Sequence, residues 1–348
     1  MTLVGCDLHA RKQQVAVLDT ITGEVREEQL SHDGDAVERF YSTLLPPVTV
    51  AVESTGYAVW FHALIRQLGH TLLVGDASKI RAMVVRKTKT DRRDALHLLE
   101  LLRHERLPLV WVPDPQTRDL RALLAHRMRF VRLRTTVING LHAIALSHRL
   151  VAGSRRLTRG RVAQLARLPL SPHLARRRDE SLELVSWLDQ RIRGLDTLLD
   201  EAVEAEPAAR RLLTHPGVGP VTALTTVGVL GPVSRFPGSK EVTSYVGLAP
   251  TLHVSADKHH LGQITKQGSP LLRLVLVQAA SIAARYDDDL KQVYVALLRR
   301  RGHAKAKVAV ARRLLVRLFI MLRDRIDYEE FRRRGRSQRS CEVPPAPA

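Results

Sequence analysis

A chain of 348 residues with 45% hydrophobic content is long enough for two or three domains with buried cores, which excludes a largely disordered protein. Its 55 Lys+Arg against 35 Asp+Glu give a formal charge of +20, the electrostatic footprint of a nucleic-acid binder. Two cysteines, Cys6 and Cys341, supply neither a disulfide framework nor zinc-ligand spacing, and the longest apolar run, Leu314 to Leu322, is interrupted by Arg317 and too short for a membrane span. Without a signal-peptide pattern at its start, the expected compartment is the cytoplasm, with no membrane role. The charge is segregated: residues 1–105 carry 13 Lys+Arg against 14 Asp+Glu, so the whole basic excess falls in the remaining residues.

The first hundred residues alternate strand and helix patterns. LVGCD and QQVAVLD read as strands, a third covers Glu24 to Leu30, and the ITG turn joins the second and third as a hairpin. An amphipathic helix from about Asp35 to Leu45 follows, then the strand VTVAVE, a helix around Tyr57 to Leu68 and the strand HTLLVGD. Thr90 suits the N-cap of the next helix, with Asp91 in its first turn and Ala95, Leu98, Leu99 and Leu102 on its inward stripe. Three antiparallel strands followed by alternating helices and strands is the order of an RNase H-like α/β fold.

Four carboxylates stand out in that order. Asp7 ends LVGCD and Glu53 ends VTVAVE, so both leave the sheet where loops gather, while Asp91 and Asp94, at i and i+3, share one helix face. Carboxylates aimed at one point repel and raise each other's pKa unless a divalent cation sits among them, and hard oxygen donors suit Mg²⁺ (or Mn²⁺). The spacing predicts a metal-dependent phosphoryl-transfer site. In isolation Asp91 and Asp94 read more simply as acids at a helix N-terminus; their company with Asp7 and Glu53 reverses that reading. Lys87 and Lys89 stand beside them, either holding DNA near the metal or forming a solvated charge run.

From Pro113 onward the pattern is helical. Over Gln116 to Leu150, Leu120, Leu124, Val131 and Ile138 lie on one side and Arg118, Arg121, Arg129 and Arg132 on roughly the opposite one, a basic stripe. A second long helix, Glu180 to Val203, repeats Leu184, Leu188, Ile192, Leu195 and Leu199 as a coiled-coil or helical-hairpin seam, which either pairs with another subunit or folds back within the chain. HPGVGPVTALTTVGVLG reads as the second half of a helix-hairpin-helix. Its Gly217 and Gly219 either expose amides to a DNA phosphate or form a structural turn. Lys266 and Gly268 precede a helix begun by Ser269 and Pro270, a second phosphate-facing junction. The last helix runs from Lys305 to Arg325, and the basic tail beyond it is expected to be disordered.

GCDLH, VESTG, KTDRRDA, HPGVG, YVGLAP and GQITKQG, in this order and at these separations, make the chain similar to the insertion-sequence one-ten family of DEDD transposases, which includes Piv/MooV-type DNA invertases and bridge-RNA-guided recombinases. The resemblance runs from Leu3 to about Arg325. It implies a RuvC-like catalytic domain over residues 1–105, a helical coiled-coil spacer over 106–205 and a mostly α transposase domain with a helix-hairpin-helix-like element over 206–325, followed by the tail 326–348. It places the acidic set on Asp7, Glu53, Asp91 and Asp94 and a nucleophilic serine shortly after the GLxP motif, at Ser255. Unaided, the residues would make Ser255 a turn residue, and the Ala256 and Asp257 that follow depart from the Ser and Gly common in the family. The resemblance further implies donor and target DNA, a noncoding guide RNA, a dimer or tetramer, and an active site shared between subunits. Two other readings stay open: a RuvC-like junction endonuclease using metal-activated water, and a nucleic-acid-binding protein with a decayed site.

Overall fold

Period-two alternation in the first part of the chain builds one sheet with two buried faces. In the computed structural model, residues 1–56, 58–84, 90–150, 158–255 and 258–341 are described, with only the backbone for residues 159, 252–255, 258–261 and 336–341. The chain divides into two compact units, Met1–Val112 and Pro113–Ala348.

The first unit contains β1 (Thr2–Leu8), β2 (Lys12–Asp19), β3 (Val25–Ser31), α1 (Ala36–Ser42), β4 (Val48–Glu53), α2 (Val59–Gln67), β5 (Thr71–Gly75), α3 (Ala77–Met83) and α4 (Asp91–Arg103). The strands form a mixed sheet in the order β3-β2-β1-β4-β5, with β1 antiparallel to β2 and parallel to β4. Val4, Cys6 and Leu8 of β1 and Val48, Val50 and Val52 of β4 face α1 and α2, packing with Phe40, Tyr41, Phe61 and Ile65. The alternate residues Leu3, Ala16, Leu18 and Ala51 face α4, packing with Ala95, Leu98, Leu99 and Leu102. The expected strand and helix order holds, and α3 is an addition to it.

The second unit contains α5 (Pro115–Ser147), α6 (Arg159–Ala166), α7 (Pro172–Ala205), α8 (Pro207–Leu213), α9 (Pro220–Leu230), α10 (Ser239–Tyr245), the hairpin β6 (Pro250–Ser255) and β7 (Lys258–Ile264), then α11 (Pro270–Tyr286), α12 (Asp288–Arg301), α13 (His303–Asp324) and α14 (Tyr328–Cys341). Helices α5 and α7 pack on each other within the chain. The ion pairs Arg127–Asp196 and Arg134–Asp189 give them an antiparallel register. Their buried seam on α7 is Val185, Leu188, Ile192, Leu199 and Val203; Leu184, expected within it, is 45% exposed. Leu124 and Met128 of α5 and Leu199 and Val203 of α7 enter the same core as Leu276, Leu314, Leu318 and Phe319 of the later helices, so the expected spacer shares its interior with the C-terminal helices.

The tail expected to be disordered from residue 326 instead forms α14 over Tyr328–Cys341. Tyr328 carries the reason. Its ring lies 4.5 Å from that of His215, its hydroxyl donates to Asp287, and its backbone N–H donates to Thr214 Oγ1 at 2.9 Å. Composition alone hides such anchoring, because arginines dominate the segment while two aromatic residues, Tyr328 and Phe331, pack it against the core. Among the described residues no helix is long and apolar enough to cross a membrane.

Candidate metal and nucleic-acid site

Gly5 sets the position of the acidic residues. A Cβ built there would lie 2.2 Å from the Ala95 carbonyl oxygen and 2.5 Å from the Leu99 nitrogen, so the absence of a side chain lets α4 cross directly over β1. Asp7 is two residues further along the same strand face, and the first turn of α4 carries Asp91 and Asp94. Thr90 caps that helix as expected, its hydroxyl accepting from the Arg93 N–H at 3.3 Å. Arg92, from the same turn, pairs with Glu27 of β3, the ladder partner of Ala16, and ties the helix to that face of the sheet.

The carboxylates of β1 and α4 meet through His9 and Lys12. His9 Nε2 lies 3.0 Å from Asp7 Oδ2 and 3.4 Å from Asp91 Oδ1, and Lys12 Nζ is 2.9 Å from Asp91 Oδ2. Burial raises the Asp7 carboxyl's pKa above the ordinary carboxylate range; His9 opposes the rise, and the charges of Asp94 and Asp91 add to it. Asp91, more exposed, is held below that range chiefly by the Lys12 hydrogen bond. Asp7, His9 and Asp91 each offer one donor atom, all within 4.8 Å of one another. Glu53 follows the Cys6↔Val52 pair of the β1–β4 ladder and shares the α4 face with Ala51, which brings it to the level of Asp7. It stands outside that three-residue group.

This donor set fits a divalent cation. Burial, with the charges of Asp94 and Asp91, disfavours the ionised Asp7 carboxylate, a penalty that a cation would relieve, while the Lys12 ammonium already supplies positive charge beside Asp91. A bound cation would be held by Asp7 and Asp91, with His9 as a nitrogen donor and the Asp94 charge acting on Asp7.

His9, Lys12 and Gly5 are not among the residues singled out from the sequence. Each had a signal: His9 is two residues beyond Asp7 and therefore on its strand face, Lys12 opens the antiparallel partner strand, and glycine inside a strand marks a close backbone approach. A search restricted to carboxylates passes over all three.

The basic stripe of α5 splits in two. Arg121 donates through Nε to the Gly228 carbonyl at 2.7 Å and through Nη2 to Val229 at 3.3 Å, and Arg118 donates to the Pro113 carbonyl at 2.9 Å. Both are half-buried and tied to backbone carbonyls, Arg121 to those at the end of α9. Arg129 and Arg132 remain exposed.

Gly217 has a structural task as well. Its φ is +84°, and a Cβ would lie 2.6 Å from the Ala283 nitrogen, so the HPGVG turn between α8 and α9 is seated against α11. Gly219 is the N-cap of α9, with open space at its Cβ position. Lys266 is exposed with φ +58°, and its N–H donates to the Gly247 carbonyl at 3.1 Å. YVGLAP and GQITKQG interlock here: a Cβ on Gly247 would meet the Gln267 oxygen at 2.2 Å, and one on Gly268 the Tyr245 oxygen at 2.1 Å. Ser255 is the last residue of β6, paired with Lys258, and only its backbone is described. Lys87 and Lys89 lie outside the described residues.

Comparison with known proteins agrees with this layout. A transposase model of the DEDD, IS110 type matches residues 4–148, and one described as "Transposase IS116/IS110/IS902 family" matches residues 209–295. A protein of Pseudomonas aeruginosa named "Probable family 20 transposase" is 27% identical over 82% of this chain and 85% of its own length. The transposase for insertion sequence element IS1328 of Yersinia enterocolitica is 28% identical over 81% and 84%. The pilin gene-inverting protein of Moraxella lacunata is 27% identical over 70% and 69%. With the acidic set inside the first matched stretch and the YVGLAP and GQITKQG motifs inside the second, this chain belongs to the IS110 family of transposases, enzymes that cut and rejoin DNA.

Proposed function

We propose that the protein is an insertion-sequence recombinase in which Asp7, Glu53, Asp91 and Asp94 hold Mg²⁺ or Mn²⁺ against a scissile phosphate and Ser255 is the nucleophile. The observation that carries this reading is the meeting of Asp7, Asp91 and His9 over Gly5, which concentrates carboxylates where one of them is already raised in pKa. The RNase H-like assignment of the first unit rests on its strand order together with these positions.

The chemistry conserves a bond. The Ser255 oxygen forms a bond to phosphorus as the bond from phosphorus to a deoxyribose oxygen breaks, the serine proton being lost and the departing oxygen gaining one. Rejoining is the reverse, with a deoxyribose hydroxyl displacing the serine. A divalent cation held by the carboxylates would supply stabilisation of negative charge on the phosphate and on the departing oxygen. His9 and Lys12 hold Asp7 and Asp91 in place before the cation arrives.

The similarity to a pilin gene-inverting protein supports strand exchange over simple hydrolysis. Donor and target DNA are the substrates, met in the cytoplasm, with Arg129, Arg132, Gly219 and Lys266 at the phosphates. A noncoding guide RNA enters by resemblance, and the low aromatic content, 4%, suits sequence choice by base pairing. Exposed Leu184, Trp187 and Leu198 on α7, with Leu133 on α5, offer an apolar surface for a second copy. The test is a search for a denaturant-stable protein–DNA adduct with Mg²⁺, guide RNA and labelled donor DNA. The reading requires an adduct that disappears in both Ser255→Ala and Asp7→Ala.

One observation favours a second reading. The whole acidic group is built inside the first unit, as a self-contained metal-dependent nuclease would be. Nicked DNA without adduct, undiminished in Ser255→Ala, would establish it.

A further inference from the structure

Trp60 is 42% exposed in the first turn of α2, and Val59 beside it is 58% exposed. Single exposed apolar residues are ordinary on protein surfaces. Trp60 differs in being fixed. The His32 ring meets it edge-on at 4.8 Å and the Phe61 ring at 5.6 Å, and Phe61 is fully buried in the sheet's core. The indole is therefore a rigid plane with part of its surface open to solvent.

Its location gives the plane a use. Helix α2 follows the end of β4 that carries Glu53, and His32 follows the end of β3. His32 is tied to the β1–β2 turn: its N–H donates to the Arg11 carbonyl at 2.8 Å, and its Nδ1 lies 3.4 Å from the Ala10 carbonyl. The preceding residue of that turn is His9, which touches both Asp7 and Asp91. The indole and the acidic group thus lie at the same end of the sheet, on its two faces, and are linked around that end through His32 and the β1–β2 turn.

A phosphodiester brought to those carboxylates carries a base on each flanking nucleotide. Paired bases inside a duplex offer no face to a protein ring; an unpaired base does, and stacking on Trp is tolerant of sequence. We propose that Trp60 is a stacking platform for an unpaired DNA base next to the scissile phosphate, so that the enzyme engages strands opened at the cut site. This rests on the carboxylate reading above and names the form of substrate that site takes.

The test follows intrinsic fluorescence and affinity in the full-length protein with Mg²⁺. A short mixed-sequence single-stranded DNA should quench emission in the wild type, and the quenched component should be missing from Trp60→Phe. A blunt, fully paired duplex should leave that component unquenched. Trp60→Leu, which keeps apolar bulk without a ring, should weaken single-strand binding about tenfold, while Trp60→Phe should stay near wild type. Equal affinity in the Leu and Phe variants, or quenching by duplex as strong as by single strand, would overturn the platform. Quenching by RNA alone would do the same. The two readings fail separately: cleavage that survives Asp7→Asn removes the carboxylate assignment, whereas loss of cleavage in Asp7→Asn with unchanged binding in Trp60→Leu removes only the platform.

Discussion

Gly5 lies directly beneath Ala95: a Cβ on the glycine would stand 2.2 Å from the Ala95 carbonyl oxygen. Strand β1 and helix α4 can touch backbone to backbone only because that atom is missing. The obstacle is main chain, so it cannot rotate aside. Gly5→Ala should displace α4, at a cost of about 1–3 kcal/mol in overpacking. Thermal unfolding should show the lost stability, and DNA cleavage should fall more steeply than folding does, because Asp91 and Asp94 move away from Asp7.

Asp7 and stability should oppose one another. Its carboxyl is raised in pKa by burial and by Asp94 and Asp91, so near neutral pH the ionised form is disfavoured in the folded protein relative to the unfolded chain. Asp7→Asn should leave the metal-free protein at least as stable as wild type while abolishing cleavage. Adding Mn²⁺ should raise the melting temperature of the wild type and leave that of the variant unchanged.

Acid sensitivity should come from His215. Burial pushes its pKa from 6.5 down to about 4, so as pH falls below 6.5 the unfolded chain takes up a proton that the folded state refuses. The group's contribution is complete above about pH 6.5 and is lost progressively towards pH 4, on the order of 3 kcal/mol by that linkage. Asp287 adds a second loss at lower pH. Burial alone would raise its carboxyl, yet hydrogen bonds from Tyr328, the Leu290 N–H and Arg317 hold it below the ordinary range. Denaturant titrations at a series of pH values should show the first slope in wild type and a flatter one in His215→Phe.

Arg121 and Arg129 should behave oppositely despite sharing a helix face. Arg121→Ala removes donors from the Gly228 and Val229 carbonyls and should cost about 2 kcal/mol of stability. Arg129→Ala with Arg132→Ala should change stability by less than roughly 0.5 kcal/mol each. DNA binding should show the reverse: the salt dependence of affinity should fall by about 0.9 for each phosphate contact removed with Arg129 or Arg132.

Sequence pattern made the first unit legible because both of its signals are local. Alternation fixes which face Asp7 occupies, and Thr90 announces the start of α4, so the strand and helix that carry Asp7 and Asp91 could be picked out without coordinates. Local pattern marks Gly5 as a close approach and puts His9 on the Asp7 face, but it does not name their partners: the glycine's is a helix some ninety residues later. The second unit was less legible. Leu184 satisfies the heptad spacing yet is exposed, since helix rotation is set by the partner α5. Arg121 looks like any stripe arginine until the end of α9 is placed beside it. The helix α14 was missed because the packing of Tyr328 and Phe331 outweighs local composition, and the hairpin β6–β7, a local pairing closed at Ser255 and Lys258, because its strands carry histidines and polar residues in place of clean alternation.

The most direct test of the central claim is a Mn²⁺ titration, followed by the metal's paramagnetic signal, of the wild-type protein, Asp7→Asn and Asp91→Asn. The account predicts saturable binding in the wild type that is lost in both variants, since one carboxylate comes from the strand and the other from the helix seated on Gly5. Undiminished Mn²⁺ binding in either variant would contradict it.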